Sequence, residues 1–252
     1  MSSVRPDGTT APGRTAPGQT APGQTAPGQT APGQTAPDEA TARAELVETG
    51  RRLVELGLSP GTSGNISVRV GDRMLITPTN ESMGALDPAR LAVLDLSGKH
   101  LEGPKPSKEF TLHRAFYRRA PDAGAVVHLH SVNAVAAACL TPWSEASAVA
   151  PITPYFVMRV GQTPLIGYAP PGDIAQAEEL EALDLPFRAA LLANHGSVVA
   201  QPTLSAAMNA AVELEEACKL TLLTSGRSPR LLTTAQAEAL ALKYGSYWAS
   251  AS

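Results

Sequence analysis

Cysteine is nearly missing from this 252-residue chain, which has only Cys139 and Cys218. Two thiols, each inside an apolar or helical-looking run, cannot build a disulfide framework; they point to a reducing cytosol and to buried, inert side chains. Long apolar runs are missing as well. No stretch reaches the roughly 18 residues that a membrane-spanning helix needs, and the N-terminus has neither the charged start nor the apolar core of an export signal. Positive charge is not in excess, because 20 Lys and Arg face 23 Asp and Glu, for a net charge of −3 and a pI near 6.0. That balance gives no general field for nucleic acid or an anionic membrane, and a small anionic ligand would need a local site. The expectation is a cytoplasmic protein acting on a small molecule, with no nucleic acid and no membrane as partner.

What is present begins with a repeat. Thr10 to Gln34 hold "TAPGR" once and "TAPGQ" four times, trailing into "TAPD". Each unit carries Pro and Gly and nothing large and apolar, so it cannot bury enough surface to offset the entropy lost on ordering. Residues 1–37 are expected to be a disordered tail, and residues 38–252, in a chain with 43% hydrophobic content, one globular domain.

From Asp38 onward Leu46, Val47, Leu53, Val54 and Leu56 recur at helical spacing, with Gly57 as a stop. "NISVRVGDRMLIT" (65–77) alternates on either side of Gly71-Asp72, which predicts an antiparallel hairpin. Further strands are expected at 91–96, 124–128, 164–167, 189–193 and 197–201, and helices at 108–119, 132–140, 174–183, 205–225 and 234–244. Strands in runs mixed with helices predict an α/β sheet sandwiched by helices, not a simple alternating parallel fold.

Of five histidines, His128 and His130 flank one leucine in "AVVHLHS". Residues two apart in an extended segment share a face, so both rings can meet one metal ion, which needs further ligands from elsewhere. His195 in "LLANHGSVV" is the best third candidate, ending another apolar run and followed by Gly196, where a turn is expected. His100 in "SGKHLEG" and His113 read as a solvated turn and a helix-face residue with no role in a site. "GPKPSKEF" places Ser107 as a helix N-cap and Glu109 in the first helical turn, beside free backbone N–H groups that could take phosphate with help from Lys105 or Lys108. The same residues are equally those of an ordinary cap, with Glu109 complementing the helix dipole. "GTSGNIS" and "TPTNES" are Gly-, Ser- and Asn-containing loops of the kind that cradle anions.

Taken in order, "SGNIS", "LITPTN", "KPSKE", "AVVHLHS" and "LLANHG" resemble the class II aldolase/adducin family, over about Thr41 to Tyr247. The resemblance implies a three-layer α/β/α domain around a largely antiparallel central sheet, a homotetramer, and one zinc ion per subunit, or another divalent transition metal. It carries the metal ligands onto His128, His130 and His195, and the acid/base glutamate, also a fourth ligand, onto Glu109. Phosphate contacts fall on Gly64, Asn65, Thr79, Asn80, Ser107 and Lys108. An assisting tyrosine corresponds to Tyr155, with Tyr244 or Tyr247 as a C-terminal one.

Aldolases acting on fuculose phosphate have a second Ser where Lys108 stands and a Gly where Asn80 stands. "TPTNESMGALDPARL", "GPKPSKEFTLHRAFY" and "ITPYFVMRVGQTPLIGYAPPGD" instead resemble the branch of 3-oxo-tetronate 4-phosphate decarboxylases. Both reactions leave the same enediolate of dihydroxyacetone phosphate, stabilised by the metal, and differ in whether CO2 or an aldehyde departs. The expected function is therefore decarboxylation of a phosphorylated sugar acid, the alternative is retro-aldol cleavage of a ketose 1-phosphate, and a non-catalytic adducin-like module is a third reading.

Overall fold

The computed structural model describes residues 38–248; the expected disordered tail, 1–37, lies outside them. The chain opens with α1 (Glu39–Glu55), whose first turn is capped by the Asp38 carboxylate accepting from the Thr41 N–H at 2.8 Å. Leu46 and Leu53, two turns apart, turn its apolar stripe inward, and Gly57 at φ 74° takes the chain out of the helix. The hairpin β1 (Asn65–Val70) and β2 (Arg73–Ile76) then forms around the expected turn. It continues into β3 (Ala92–Asp95) and β4 (His100–Glu102).

Next come α2 (Phe110–Arg119), β5 (Ala125–Leu129), α3 (Val132–Ala138), α4 (Pro154–Arg159) and β6 (Leu165–Ile166). The chain finishes with α5 (Ala175–Ala182), β7 (Ala189–Leu192), β8 (Gly196–Gln201), α6 (Leu204–Leu223) and α7 (Thr234–Tyr244).

All eight strands form one sheet in the order β4-β3-β2-β1-β5-β8-β7-β6, antiparallel except for the β6–β7 pair. Alternation along each strand feeds two cores. Ile66, Val68, Leu75, Val93, Val127, Leu129, Leu191 and Val199 face α1, α3, α4, α6 and α7. Met74, Ile76, Leu94, Val126, Ala190, Leu192 and Val198 face α2 and α5. The layers are thus helix, sheet, helix. Among the described residues no helix is long and apolar enough to cross a membrane.

Two elements differ from the sequence reading. β4, containing His100, is an edge strand whose three residues are all exposed, so no apolar alternation marks it; Arg73 ties it down through Glu102 at 2.6 Å. The six-residue α4 is too short to show a helical period and is started by Thr153, whose hydroxyl accepts from the Phe156 N–H at 3.0 Å, with Pro154 following. One thiol also departs from expectation. Cys218 is buried in α6, but Cys139 is exposed at the C-cap of α3, one residue past the still-buried Ala138.

A carboxylate from the long α6 fixes the chain after β5. Glu215 is buried and accepts from the Ser131 hydroxyl at 2.7 Å, the backbone N–H groups of Asn133 (2.9 Å) and Ala134 (2.8 Å), and the Asn133 amide (2.7 Å). It therefore caps α3 from outside that helix and pins the segment that begins with His130.

Candidate metal centre

The antiparallel order brings the start of β1, the end of β2, the end of β5 and the start of β8 to one end of the sheet. Asn65 stands opposite His128, and Leu129 opposite Ser197. His128 is fully buried on the α2 side of β5, while its neighbours Val127 and Leu129 point to the other core. Its Nδ1 lies 2.8 Å from the Ser197 carbonyl oxygen, which can only accept, so the ring carries a proton there and turns Nε2 toward the cluster. His130, one residue past the strand, swings its Nε2 to 2.9 Å from that atom. His195 comes from the tight β7–β8 connection, its Nε2 3.1 Å from that of His130.

The expected turn at Gly196 is not what shapes this connection. Asn194 takes the left-handed conformation at φ 58°, and Gly196 is already in strand β8. Gly196 is required for a different reason, since a Cβ there would press into the Leu129 carbonyl of the neighbouring strand.

Glu109 completes the cluster. Its Oε2 lies 3.2 Å from His128 Nε2 and its Oε1 lies 3.0 Å from His195 Nε2. One ligand atom from each of Glu109, His128, His130 and His195 lies within 4.8 Å of all the others. Ligands at about 2.0–2.1 Å from a tetrahedral ion are roughly 3.4 Å apart, close to the contacts observed. Burial pushes the Glu109 carboxyl up, but the imidazoles of His128 and His195 outweigh it and hold the group well below the usual carboxylate range. Burial, reinforced by His128 and His195, pushes His130 down to about 4, so it is neutral near pH 7. A divalent cation among these converging nitrogen and oxygen atoms would take a lone pair from each and balance the buried carboxylate. The donor set fits a divalent transition-metal ion.

Around this cluster the remaining sequence candidates are distributed unevenly. Thr79 and Ser107 are brought together by a bridge in which the Thr79 N–H donates to the Lys105 carbonyl (3.0 Å) and the Ser107 N–H to the Thr77 carbonyl (3.1 Å). Asn80, exposed and left-handed at φ 62°, and the exposed Lys108 flank this bridge. Gly64, at φ 76°, lies against the backbone of His128, where an added Cβ would sit 2.7 Å from the carbonyl oxygen.

Ser107 does not cap α2 as expected. The helix starts at Phe110, Glu109 itself occupies the cap position, and the Ser107 hydroxyl accepts from the Glu109 N–H at 3.3 Å. The two preceding prolines and the bridge to 77–79 keep 105–107 extended, which delays the helix. Asn65 is buried with both ends of its amide engaged: Nδ2 donates to Glu109 Oε2 at 2.7 Å, and Oδ1 meets His113 Nε2 at 2.5 Å. Its side chain serves the carboxylate, not a free anion pocket.

Tyr155 is not brought to the cluster within this chain. It is 56% exposed on α4, with the Arg159 guanidinium 5.3 Å from its ring. Tyr244 and Tyr247 have the Lys243 and Arg188 cations over their rings, respectively.

His113, read from the sequence as a residue with no site role, is fully buried and one hydrogen bond removed from the residue that holds Glu109. Burial, with His128 nearby, pushes it down to about 3 against the opposing pull of Glu109, so it is neutral. Its position four residues after Glu109 puts it on the same helix face, but that this face meets the Asn-Ile-Ser strand is a tertiary contact.

Residues 44–222 match the family described as class II aldolase and adducin N-terminal domain. The 3-oxo-tetronate 4-phosphate decarboxylase of Pectobacterium atrosepticum is 43% identical over 196 residues, covering 77% of this chain and 90% of that protein. The L-fuculose phosphate aldolase of Escherichia coli K12 is 35% identical over 182 residues, covering 71% and 82%. The crystal structure of YgbL from Klebsiella pneumoniae superposes with a TM-score of 0.77 at 40% identity, covering 80% of this chain and 98% of that one.

Proposed function

The chain belongs to the class II aldolase and adducin family, and from that premise we propose that it decarboxylates 3-oxo-tetronate 4-phosphate to dihydroxyacetone phosphate and CO2. The observation that carries this reading is the meeting of an ionised, buried Glu109 with three imidazole nitrogens at the mouth of the 77–80 and 105–108 bridge. In support, two segments characteristic of the decarboxylase branch meet in space. Gly172 of "LIGYAPPGD" lies against the stem of Lys108 of "KPSKE", and a Cβ on Gly172 would be 3.1 Å from that of Lys108.

In this reading His128, His130, His195 and Glu109 hold one divalent ion per subunit, zinc by preference, since three imidazoles and a carboxylate suit zinc while also accepting manganese or cobalt. When bound, the ion supplies fixed positive charge against the negative charge that builds on the ketone oxygen as the carbon–carbon bond breaks. The chain's own residues do the remaining work. The substrate is a β-keto acid: the C1–C2 bond breaks, CO2 leaves, and the electron pair passes into the C2–C3–O enediolate. One proton must then reach C2, and the reaction consumes one from solvent; Glu109, directly or through a water, passes it on. Ser107, Thr79, Asn80 and the Lys108 ammonium receive the phosphate, with the backbone at Gly64 closing the site on the His128 side. Assembly as a homotetramer and a cytoplasmic location belong to the same reading. Tyr155, exposed on α4, would reach a site only across such a subunit contact.

The test is a product assay with the zinc-loaded protein. One CO2 and one dihydroxyacetone phosphate per substrate consumed, above the spontaneous rate, is expected. Release of an aldehyde with dihydroxyacetone phosphate from L-fuculose 1-phosphate, without enzymatic CO2 release, would establish the aldolase alternative, and no turnover of either would refute both. Light scattering of the same sample tests the tetramer.

A further inference from the structure

On the α2 side of the sheet, the central strand β1 is the exception. β2, β3, β5, β7 and β8 all contribute apolar side chains to that core, whereas β1 presents Asn65 and Ser67. These two residues interleave with Glu109, His113 and Tyr117, each four residues after the last on α2. The match is metric, because two strand residues rise about 6.6–6.8 Å and four helix residues about 6 Å. Hydrogen bonds run through the stack: Tyr117 hydroxyl to Ser67 Oγ (2.8 Å), Ser67 Oγ to His113 Nδ1 (2.7 Å), His113 Nε2 to Asn65 Oδ1 (2.5 Å), and Asn65 Nδ2 to Glu109 Oε2 (2.7 Å).

The direction of every bond is fixed by its end. A carboxylate can only accept, so the Asn65 NH2 must face Glu109 and its carbonyl must face His113. His113 must then carry its proton on Nε2, which in a neutral ring leaves Nδ1 as an acceptor for the Ser67 hydroxyl. Ser67, having donated, accepts from Tyr117. An apolar pair would fill this part of the core with less desolvation, as on the neighbouring strands, so stability alone does not explain the chain.

We infer that His113 is a positioning residue that acts through Asn65: its Nε2–H anchors the buried Asn65 carbonyl, and the amide so held keeps the Glu109 carboxylate in the orientation that faces the three imidazoles. The inference rests on the reading of Glu109 as a metal-holding and proton-passing group. With His113 replaced by an apolar group or by a side chain too short to reach it, the Asn65 carbonyl loses its buried donor, and the unanchored amide holds Glu109 less firmly against the cluster.

The test compares two buried polar replacements in the full-length protein. Gln places an N–H near the position of the His Nε2 and keeps the bond to Asn65; Asn places its amide near Nδ1 and keeps only the bond to Ser67. Zinc affinity is read by chelator competition, and kcat and KM with 3-oxo-tetronate 4-phosphate. His113→Asn is expected to weaken zinc binding and to lower kcat by about 10-fold or more, with KM changed much less, whereas His113→Gln stays within about 3-fold of wild type in each. In an Asn65→Ala background the difference between the two should vanish. Equal behaviour of the Gln and Asn variants in both readouts, or a difference that persists without Asn65, would overturn the inference. A wild-type protein that turns over no decarboxylase substrate but keeps the order of zinc affinities would sink the proposed reaction and leave the positioning role standing.

Discussion

Gly64 offers a prediction in which backbone conformation and close approach can be measured separately. Its φ is 76°, and a Cβ at that position would sit 2.7 Å from the His128 carbonyl oxygen, 3.3 Å from Met83 Cε and 3.5 Å from Leu129 Cα. Gly61, in the same loop, has a similar φ of 66° and nothing within 4 Å of an added Cβ. Gly61→Ala therefore carries only the left-handed penalty of an L-residue, about 1–2 kcal/mol. Gly64→Ala carries that penalty plus an overlap of roughly half an ångström against main chain that cannot rotate away, a further 1–3 kcal/mol or so. For a domain of this size each kcal/mol lowers the melting temperature by about 2–4 °C, so Gly61→Ala should lose roughly 2–8 °C and Gly64→Ala about 2–12 °C more. The overlap falls on the carbonyl of His128, whose strand partner is Asn65, so zinc retention should fall in Gly64→Ala and not in Gly61→Ala. Thermal unfolding and metal analysis of both variants read these effects. Equal unfolding midpoints and equal zinc content would mean that the Gly64 contact does not exist and that β1 and β5 have room to spare at this end.

Three further outcomes are expected. His195→Ala should lose zinc and activity together, and full zinc occupancy in that variant would remove His195 from the ligand set. Glu109→Gln, which preserves volume, should leave the fold intact while turnover falls about 10²-fold or more, the scale of lost acid/base catalysis; an unchanged rate would mean that the proton reaches C2 by another group. A thiol reagent should label one cysteine in the native protein and two in urea, because Cys139 is exposed while Cys218 is fully buried and its thiol is pushed up by burial and by Glu215. Two labels without denaturant would show that α6 opens.

The elements that the sequence announced are those whose signal is local. The Gly71-Asp72 hairpin and the helix 234–244, with its Thr233 and Gln236 capping box, need no tertiary context to be read. β4 and α4 are silent in the sequence because an exposed edge strand and a six-residue helix carry no period. Within the site, "HLH" and "NHG" declared themselves through rare residues at strand ends. His113 did not, because a histidine in mid-helix looks the same whether its face meets water or a sheet, and only the pairing of α2 with β1 decides which. The partners of the Asn65 side chain are hidden in the sequence for a related reason: the helix lying across it sets them. The cap of α2 lies at Glu109, two residues beyond Ser107, because the 77–79 bridge, a non-local contact, keeps Ser107 extended.

The antiparallel order has a consequence for the time at which the site comes into being. β5 lies between β1 and β8, and its pairings, Asn65 with His128 and Leu129 with Ser197, each close a loop of roughly 60–70 residues. During synthesis from the N-terminus, His128 and His130 emerge with β1 already available on one side, but the other side of β5 stays an open edge until β8 is made. His195 and the strand that covers that edge arrive together, on one turn. The nascent chain therefore passes through an interval in which two of the four cluster residues, those that β5 and its end carry, stand beside an unpaired apolar strand edge.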